Sequence, residues 1–414
     1  MGALPADAEV VVIGAGAVGC SVAAALADAG RTDVLVVEGR PDVSLGTTAM
    51  GAGMFGALRP DLERVQRDVE GRAIFEELER SEEVTPGWEV VGSIRLACTE
   101  EGAEGLRGLA EIARAAGVPA ELVGPRDVAG AWPMLDVSRV QLALHVPGDA
   151  QMRPHRVAAS FLHRAQRQGV AFEPGTRVTG LLTEADGRVR GVQTGRGRVR
   201  SGWVVNAAGP GAAGVARMAG LDLPIVPVRH CYHVTPALAA VPRPLPHLRF
   251  TEEGLYARTR DGGVLIGGWE PPGQGRALDP REVPAGELVD PPDIAWDTHD
   301  AFDSALARYL PDLRHWSRQA FARGWPTFTP DAQHVVGESG AAPGLVMAAG
   351  CNAHGIAGAP ALGRLVADAL AGRRDAYLDR LHPDRFRGGF SWENAIASAR
   401  GHSETYNALT AQAA

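Results

Sequence analysis

The sequence contains no lysine, and all 41 of its basic residues are arginine. Schiff-base catalysis, the attachment of pyridoxal phosphate and the phosphate clamp of P-loop proteins all need a lysine amine, so these chemistries are excluded. Cysteine is also scarce, with four residues at positions 20, 98, 231 and 351. Since these form neither a C-x-x-C pair nor a metal-ligand pattern, the sequence predicts no metal site and favours a reducing compartment.

Long apolar runs and basic clusters are missing as well. No stretch approaches the ~20 apolar residues that span a bilayer, and the first nine residues lack the apolar core of a signal peptide. We therefore predict a cytoplasmic protein without a membrane partner. The net charge is −8 and no basic cluster carries interleaved aromatic residues, which argues against nucleic acid as a partner.

A glycine-rich pattern near the start of the chain predicts a dinucleotide-binding unit. An apolar strand over 10–13 leads into Gly14, Gly16 and Gly19 at the G-x-G-x-x-G spacing. Gly14 permits a tight turn, Gly16 lets the backbone approach a pyrophosphate, and Gly19 lets the next helix pack closely on the sheet. A second apolar strand ends at Glu38, 19 residues after Gly19, where a carboxylate can bind ribose hydroxyls. An acid at this position favours FAD or NAD over NADP.

The rest of the chain predicts an α/β protein with an α+β second domain. Its 414 residues are enough for two to three domains. Alternating patterns over 228–234 and 263–269 are typical of a mostly antiparallel sheet, which we assign to a substrate-binding cap on the Rossmann-like domain. The expected division is a discontinuous cofactor-binding domain over 1–90, 145–220 and 326–385, a cap over 91–144 and 221–325, and a polar C-terminal tail over 386–414.

Three further motifs carry a resemblance to a known family. They are W-V-V-N-A-A-G at 203–209, the segment from F-T-P-D at 328–331 to G-E at 337–338, and C-N-A-H-G-I at 351–356. Together with the glycine pattern they resemble the FAD-dependent D-amino-acid oxidase superfamily, and within it most closely the sarcosine and dimethylglycine dehydrogenase (oxidase) branch. The likeness covers about residues 8 to 385. It implies FAD stretched along the first domain, with its isoalloxazine ring facing the cap.

The residues that this resemblance and the glycine pattern assign to FAD come from six parts of the chain. They are Gly14, Gly16, Ala17, Val18, Gly19, Glu38, Gly39, Arg40, Thr47, Thr48, Ala49, Met50, Gly51, Ala52, Gly53, Met54, Val178, Ala207, Ala208, Gly209, Gly350, Asn352, His354, Gly355 and Ile356. His354 has a second interpretation, as a cap on the helix that follows it.

Two departures from the family pattern concern the cofactor and the domain content. A histidine in the turn after the second strand often binds the flavin covalently in this branch, and Met50 stands there. In monomeric sarcosine oxidases a cysteine shortly before T-P-D does so, and Gly324 aligns with it. We therefore expect non-covalent FAD. We also expect no counterpart of the folate-binding domain of many dimethylglycine dehydrogenases, because only residues 371–414 follow the last long predicted helix.

His230 and Tyr256 are the candidate catalytic residues. In related dimethylglycine oxidases a histidine in a P-V-x-H-x-Y segment and a tyrosine before a G-G-x-x-I-G-G strand approach the substrate, and these align with His230 and Tyr256. A histidine that titrates near neutrality is suited to accept the proton of an ammonium. For a substrate carboxylate the candidate clamps are Arg59, Arg258 and Arg323, which the sequence does not rank.

These observations predict an FAD-dependent enzyme that oxidises the C–N bond of a secondary or tertiary amine, of N-methyl or cyclic amino acid type. The product is an iminium, formed by hydride transfer to flavin N5. Oxidation of a 2-hydroxy acid or a primary amino acid is an alternative within the superfamily, and a non-catalytic flavin-binding subunit of a larger complex is another. An NAD-dependent dehydrogenase, which binds no coloured flavin, is a third. The electron acceptor, oxygen or another molecule, and the oligomeric state stay open.

Overall fold

A computed structural model describes residues 3–239, 241, 245–270, 273–290 and 293–406 of the chain. The β-strands are β1 (Asp7–Ile13), β2 (Val34–Val37), β3 (Met54–Phe55), β4 (Glu89–Val90), β5 (Ser93–Ala97), β6 (Glu121–Val123), β7 (Leu142–Val146), β8 (Ala150–Gln151), β9 (Ala171–Glu173), β10 (Val178–Thr183), β11 (Val189–Thr194), β12 (Gly197–Asn206), β13 (Val226–Pro227), β14 (His230–Val234), β15 (His247–Phe250), β16 (Leu255–Arg260), β17 (Gly263–Gly268), β18 (Ala320–Gly324), β19 (Thr327–Phe328), β20 (Val335–Glu338) and β21 (Leu345–Ala349). The α-helices are α1 (Ala17–Asp28), α2 (Leu62–Ser81), α3 (Glu100–Ala116), α4 (Pro125–Ala131), α5 (Pro154–Arg167), α6 (Ala212–Arg217), α7 (Trp296–Leu306), α8 (Ala359–Leu370), α9 (Ala376–Arg380) and α10 (Trp392–Glu404).

The first large sheet is built on parallel strands in the order β9, β2, β1, β12 and β21. Val10 and Val12 of β1 pack on α1, α5 and α8, whereas Val11 and Ile13 pack on the opposite layer, which contains α6. Because both faces of the strand are covered, its sequence is continuously apolar rather than alternating. The β10–β11 hairpin and β20 add antiparallel pairs at the edge.

The second large sheet has the order β18, β14, β17, β16, β15, β5, β7 and β6. Its pairs are antiparallel except for β15 with β5. One face, with Tyr232 and Tyr256, packs against Met50, Ala52 and Met54, which follow the dinucleotide unit. The other face forms an apolar core with α7. The predicted α/β fold with a mostly antiparallel second sheet is therefore confirmed, whereas the boundaries proposed for the domains stay a prediction.

The segment assigned to a polar C-terminal tail contains helix α10 within its described part, residues 386–406, and this helix packs on the rest of the chain. Helix α10 begins at Trp392, which packs with Ala395 and Ala399 against Val226, Phe328 and other apolar side chains. This small hydrophobic face was too short to stand out among the polar residues around it. Residues 407–414 of the predicted tail lie outside the described part of the chain.

Within the described residues, no helix is both long enough and apolar enough to cross a membrane.

Candidate active site

The turn between β1 and α1 has the geometry that phosphate binding requires. Gly14 has φ +103°, and a Cβ placed there would lie 2.6 Å from the carbonyl oxygen of Ala207. A side chain at Gly19 would collide with the carbonyl oxygen of Gly14. Both glycines are therefore required by the backbone, and they leave the N-terminus of α1 open, with no acidic residue in its first turn. Such a helix end favours a negatively charged ligand.

Glu38 closes this turn from the end of β2. One carboxylate oxygen accepts a hydrogen bond from the Ala15 N–H at 2.8 Å, and the other accepts one from the Arg40 N–H at 2.8 Å. Each oxygen retains acceptor capacity, since an ionised carboxylate has about four lone-pair sites. Glu38 is thus held in place to bind a ribose.

A groove runs from Glu38 to the cap. Its first part, which we call the nucleotide cleft, is lined by residues that include Glu38 and Val178. Its second part, the substrate cavity, is lined by residues that include His230 and Tyr256. The residues common to both parts are Gly16, Thr47, Thr48, Ala207, Gly209 and Pro210.

This continuous groove fits FAD. Its dinucleotide end offers the open helix terminus and Glu38, and its far end opens on the sheet of the cap. The walls between them are made of small residues, over which a flat ring can lie closely. Thr48 fixes the segment that crosses the groove, because its hydroxyl accepts a hydrogen bond from the Ala17 N–H at 3.0 Å.

The structure brings most of the predicted cofactor residues to this groove. Those lining the nucleotide cleft or the substrate cavity are Gly14, Gly16, Ala17, Val18, Glu38, Gly39, Arg40, Thr47, Thr48, Met50, Gly51, Ala52, Gly53, Met54, Val178, Ala207, Ala208, Gly209, His354, Gly355 and Ile356. Gly19, Ala49, Gly350 and Asn352 do not line it. Asn352 is buried, and its amide holds the turn by donating to the Gly350 carbonyl at 2.6 Å. It shapes the site without facing it.

Met50 and Gly324 lie side by side in the substrate cavity. A Cβ placed on Gly324 would be 3.2 Å from the Cβ of Met50. These are the two positions at which the family resemblance located covalent attachment in other members. Neither the thioether of Met50 nor the hydrogen that forms the side chain of Gly324 is a nucleophile able to make such a bond. The site is therefore consistent with reversibly bound FAD.

His230 and Tyr256 form a hydrogen-bonded pair at the floor of the cavity. The Tyr256 hydroxyl is 2.9 Å from His230 Nε2, and the two rings stack at 5.9 Å with an angle of 14°. Gly267, opposite Tyr256 in β17, leaves room for the tyrosine ring. Burial lowers the pKa of His230 to about 4 and raises that of Tyr256 well above 10. The expectation of a histidine that titrates near neutrality is therefore wrong, since the ring is neutral and weakly basic.

Of the three candidate arginines, only Arg59 lines the substrate cavity. Its Nε lies 3.4 Å from a carboxylate oxygen of the buried Asp68, and burial lowers its pKa while Asp68 opposes that shift. Arg249, which the sequence analysis missed, also lines the cavity from β15. Arg95 lies opposite Arg249 on the neighbouring strand β5. Burial, together with the positive charges of Arg249 and Arg59, lowers the pKa of Arg95 to about 9. The three arginines lie together with the buried carboxylates of Asp68 and Asp149.

The other two candidates serve other purposes, which corrects their assignment to the substrate. Arg258 donates from Nε to the Ala52 carbonyl at 2.7 Å and from Nη1 to Gln151 at 2.7 Å, so it supports a segment that lines the groove. Arg323 lies in β18 opposite Cys231 of β14, and the next pair of the two strands is His230 with Gly324. Since neighbouring residues of a strand point to opposite faces, Arg323 is turned away from the cavity.

Two aromatic residues of the cavity were also missed. Trp269 follows the end of β17, and Tyr406 lies just beyond α10. The strand pattern predicted over 263–269 included the first without assigning it to the site, and the second stood in the segment assigned to the C-terminal tail. His354 lines the cavity, and its alternative role as a cap on α8 is wrong, because its ring nitrogens bond to Asn352 and Tyr406 and the N-cap position of α8 is Gly358.

A Rossmann-type cofactor groove covered by an antiparallel sheet defines the class of dinucleotide-dependent oxidoreductases with a substrate cap. Within that class, the chain belongs to the DAO family of FAD-dependent oxidoreductases, whose sequence model matches residues 9–369. The predicted family and the FAD cofactor are thereby confirmed.

Curated relatives include the mitochondrial sarcosine dehydrogenase of Homo sapiens, 28% identical over 358 residues, which are 85% of this chain and 38% of that protein. Another is the mitochondrial pyruvate dehydrogenase phosphatase regulatory subunit of Mus musculus, 29% identical over 372 residues, or 88% of this chain and 42% of that protein. The chain thus spans about two fifths of the length of these relatives. Among solved structures, L-proline dehydrogenase from P. horikoshii superposes with a TM-score of 0.82 at 26% identity, covering 94% of this chain and 100% of that one.

Proposed function

We propose that this protein oxidises the C–N bond of a secondary or tertiary amine of N-methyl or cyclic amino acid type to an iminium. The observation that carries the proposal is the pairing of two features in one cavity. Arg59 and Arg249 supply positive charge for a carboxylate, and the neutral His230–Tyr256 pair lies at the same cavity. The similarity to sarcosine dehydrogenase and to L-proline dehydrogenase supports an N-alkylated amino acid as the substrate.

Arg59 and Arg249 have the task of orientation. Guanidinium groups bind a carboxylate through paired, charge-assisted hydrogen bonds, and burial strengthens the attraction because water is excluded. Both arginines are largely buried, since Arg249 is 8% exposed and the side chain of Arg59 is 11% exposed. A substrate fixed at its carboxylate has few ways left to place its α-carbon, which is how positioning lowers the barrier.

His230 and Tyr256 act on the amine. Bound FAD supplies the acceptor for two electrons. Oxidation needs the uncharged amine, and a neutral imidazole at that place can accept a hydrogen bond from the amine N–H. The pKa of Tyr256 is far above neutrality, so its phenol stays protonated and its hydroxyl remains a hydrogen-bonding partner of His230. Because burial lowers the pKa of His230 to about 4, the imidazole is uncharged at neutral pH and does not repel a cationic amine.

Two other functions remain alternatives. The superfamily also oxidises primary amino acids and 2-hydroxy acids, which carry the same carboxylate. The regulatory subunit among the relatives favours a flavin-binding subunit without an active site of its own. Each alternative predicts a different response of the flavin to added substrates.

An anaerobic absorbance titration of the purified protein tests the proposal. Sarcosine, dimethylglycine, proline, glycine and lactate are added separately, and the oxidised flavin band near ~450 nm is followed as the report of electron transfer to the cofactor. We expect bleaching by an N-methyl or cyclic amine but not by glycine or lactate. The variant His230→Ala should slow bleaching, and Arg323→Gln, on the other face of the sheet, should leave its rate unchanged. Bleaching by glycine or lactate alone selects the first alternative, and a yellow protein reduced by none selects the second.

A further inference from the structure

Aromatic rings form a continuous wall along the substrate cavity. The His230 ring lies 4.7 Å from the Trp269 ring, and the Trp269 ring lies 5.5 Å from the Tyr406 ring, with interplanar angles of 57° and 59°. All three side chains line the cavity together with Arg59 and Arg249. We call Trp269 and Tyr406 the aromatic wall. The cavity therefore has both an arginine-rich part and an electron-rich aromatic part.

Tyr406 is held firmly in the wall by His354. Nδ1 of His354 is 2.7 Å from the carbonyl oxygen of Asn352, which can only accept, so this nitrogen carries the proton. Burial, with Arg59 and Arg64 nearby, lowers the pKa of His354 well below 6.5, so its ring is neutral and Nε2 is an acceptor. The Tyr406 hydroxyl at 2.9 Å must then donate to Nε2, which leaves its oxygen lone pairs and its ring face free of this bond.

Helix α10 places Tyr406 there. Trp392 donates from its indole nitrogen to Asp222 at 3.0 Å, and His402 donates from Nδ1 to the Thr329 carbonyl at 3.1 Å. The Tyr406 ring also makes an edge contact with Phe328 at 6.4 Å. These anchors fix the helix at both ends, so the position of Tyr406 is determined by packing.

Trp269 contributes an independent observation. It is 5% exposed, and its indole N–H has no hydrogen-bond partner within the part of the chain that the structure describes. A buried donor of this kind costs about 1–3 kcal/mol when it stays unpaired. Because this nitrogen is itself shielded from the cavity, the part of Trp269 that lines the cavity is its apolar ring surface.

We propose that the aromatic wall of Trp269 and Tyr406 determines substrate specificity by holding the alkylated ammonium of a zwitterionic substrate whose carboxylate binds Arg59 and Arg249. This inference rests on the proposed function and specifies its substrate class. An ammonium bearing methyl groups presents a diffuse positive charge to the ring faces, and tryptophan and tyrosine attract such cations. The methyl groups also gain from contact with apolar ring surface, which an unmethylated ammonium does not offer.

Binding of a matched pair of non-reacting ligands tests the wall. Glycine betaine is a permanent trimethylammonium cation without a lone pair to oxidise, and 3,3-dimethylbutanoate is its neutral carbon counterpart with the same carboxylate and shape. Calorimetric titration of the FAD-loaded protein should give betaine the lower Kd, by about tenfold as expected for a desolvated cation–π contact. Tyr406→Leu should remove most of this preference while the Kd of 3,3-dimethylbutanoate changes little. Tyr406→Phe, which keeps the ring, should retain it.

Tyr377→Leu is the matched control, because Tyr377 is a buried tyrosine on α9 that lies outside the cavity and contacts Arg67 and Arg380 instead. It should leave the preference for betaine intact. If Tyr406→Leu does not retain FAD, Trp269→Phe replaces it, since phenylalanine attracts cations less than tryptophan.

Equal Kd values for the two ligands in the wild type, or no binding of either ligand, would contradict the proposed role of the aromatic wall. An equal rise in the Kd of both ligands in Tyr406→Leu would contradict it too, because the ring would then contribute only its shape. These results are separate from a failure of the proposed function. If sarcosine or dimethylglycine bleaches the flavin but betaine is not preferred, the proposed function stands and the proposed role of the aromatic wall is refuted. If no amine bleaches the flavin, the proposed function itself is refuted.

Discussion

Gly267→Ala provides a direct test of how the sheet of the cap positions the catalytic pair. Gly267 lies in β17 opposite Tyr256, and a Cβ placed there would be 2.5 Å from the Tyr256 hydroxyl oxygen and 2.6 Å from the Tyr232 Cβ. Real Cβ atoms essentially never approach within 3.0 Å of another heavy atom. Its extended strand backbone accepts alanine, so the whole effect is steric. Overpacking of a buried site costs about 1–3 kcal/mol of the free energy of unfolding.

The same displacement separates the catalytic pair. Because Tyr256 cannot keep its ring over residue 267, its hydroxyl is expected to leave the 2.9 Å hydrogen bond to His230 Nε2. Two measurements follow the variant: the denaturant midpoint of the FAD-loaded protein, and the rate of anaerobic flavin reduction by the best amine. We expect both to fall, and the flavin content per chain to stay near that of the wild type, since residue 267 does not line the groove.

Gly180→Ala is the matched control. Gly180 is also a strand glycine, in β10, but a Cβ there meets only the Gln193 Cβ at an ordinary 3.6 Å. This substitution should be neutral or stabilise the protein by about 0.4–1 kcal/mol, because alanine restricts the unfolded chain. If Gly267→Ala is as stable as Gly180→Ala and reduces its flavin at the wild-type rate, the argument from the glycine is refuted.

Three further predictions concern charge and the cofactor. Arg59→Gln, combined with Asp68→Asn so that no buried carboxylate stays unpaired, should raise the Kd of 3,3-dimethylbutanoate by about 10–100-fold because a charge-assisted bond is lost; Arg323→Gln should not, and equal effects would contradict the assignment. The His230 pKa of about 4 lies below its unfolded value of 6.5, so the unfolded state binds an extra proton and the free energy of unfolding falls as the pH drops from 6.5 to 4. By linkage, His230→Asn should reduce this fall in the free energy of unfolding by about 3 kcal/mol, as measured by denaturant unfolding at the two ends of this pH range. An unchanged dependence of stability on pH would contradict the prediction. Acid precipitation should release all FAD into the supernatant, whereas a yellow pellet would reveal a covalent bond.

The sequence by itself determined the cofactor part of this protein. Gly14, Gly16, Gly19 and Glu38 could be interpreted in advance because each position is dictated by local backbone geometry and by its fixed distance along one βαβ unit. Continuous apolar strands likewise indicated a sheet covered on both faces. His230 and Tyr256 came from the family resemblance, and the structure brings them within hydrogen-bonding distance of each other.

Only the tertiary structure decided which charges and rings face the substrate. Arg258 and Arg323 were as plausible as Arg59, because strand register decides which face of a sheet a side chain occupies and a shift of one residue reverses it. The His230 pKa depends on burial, which no local pattern reports. Tyr406 reaches the cavity through a helix that packs on residues more than 60 positions earlier in the chain, such as Phe328. Contacts between distant segments, rather than neighbours in sequence, assemble the part of the site that selects a substrate.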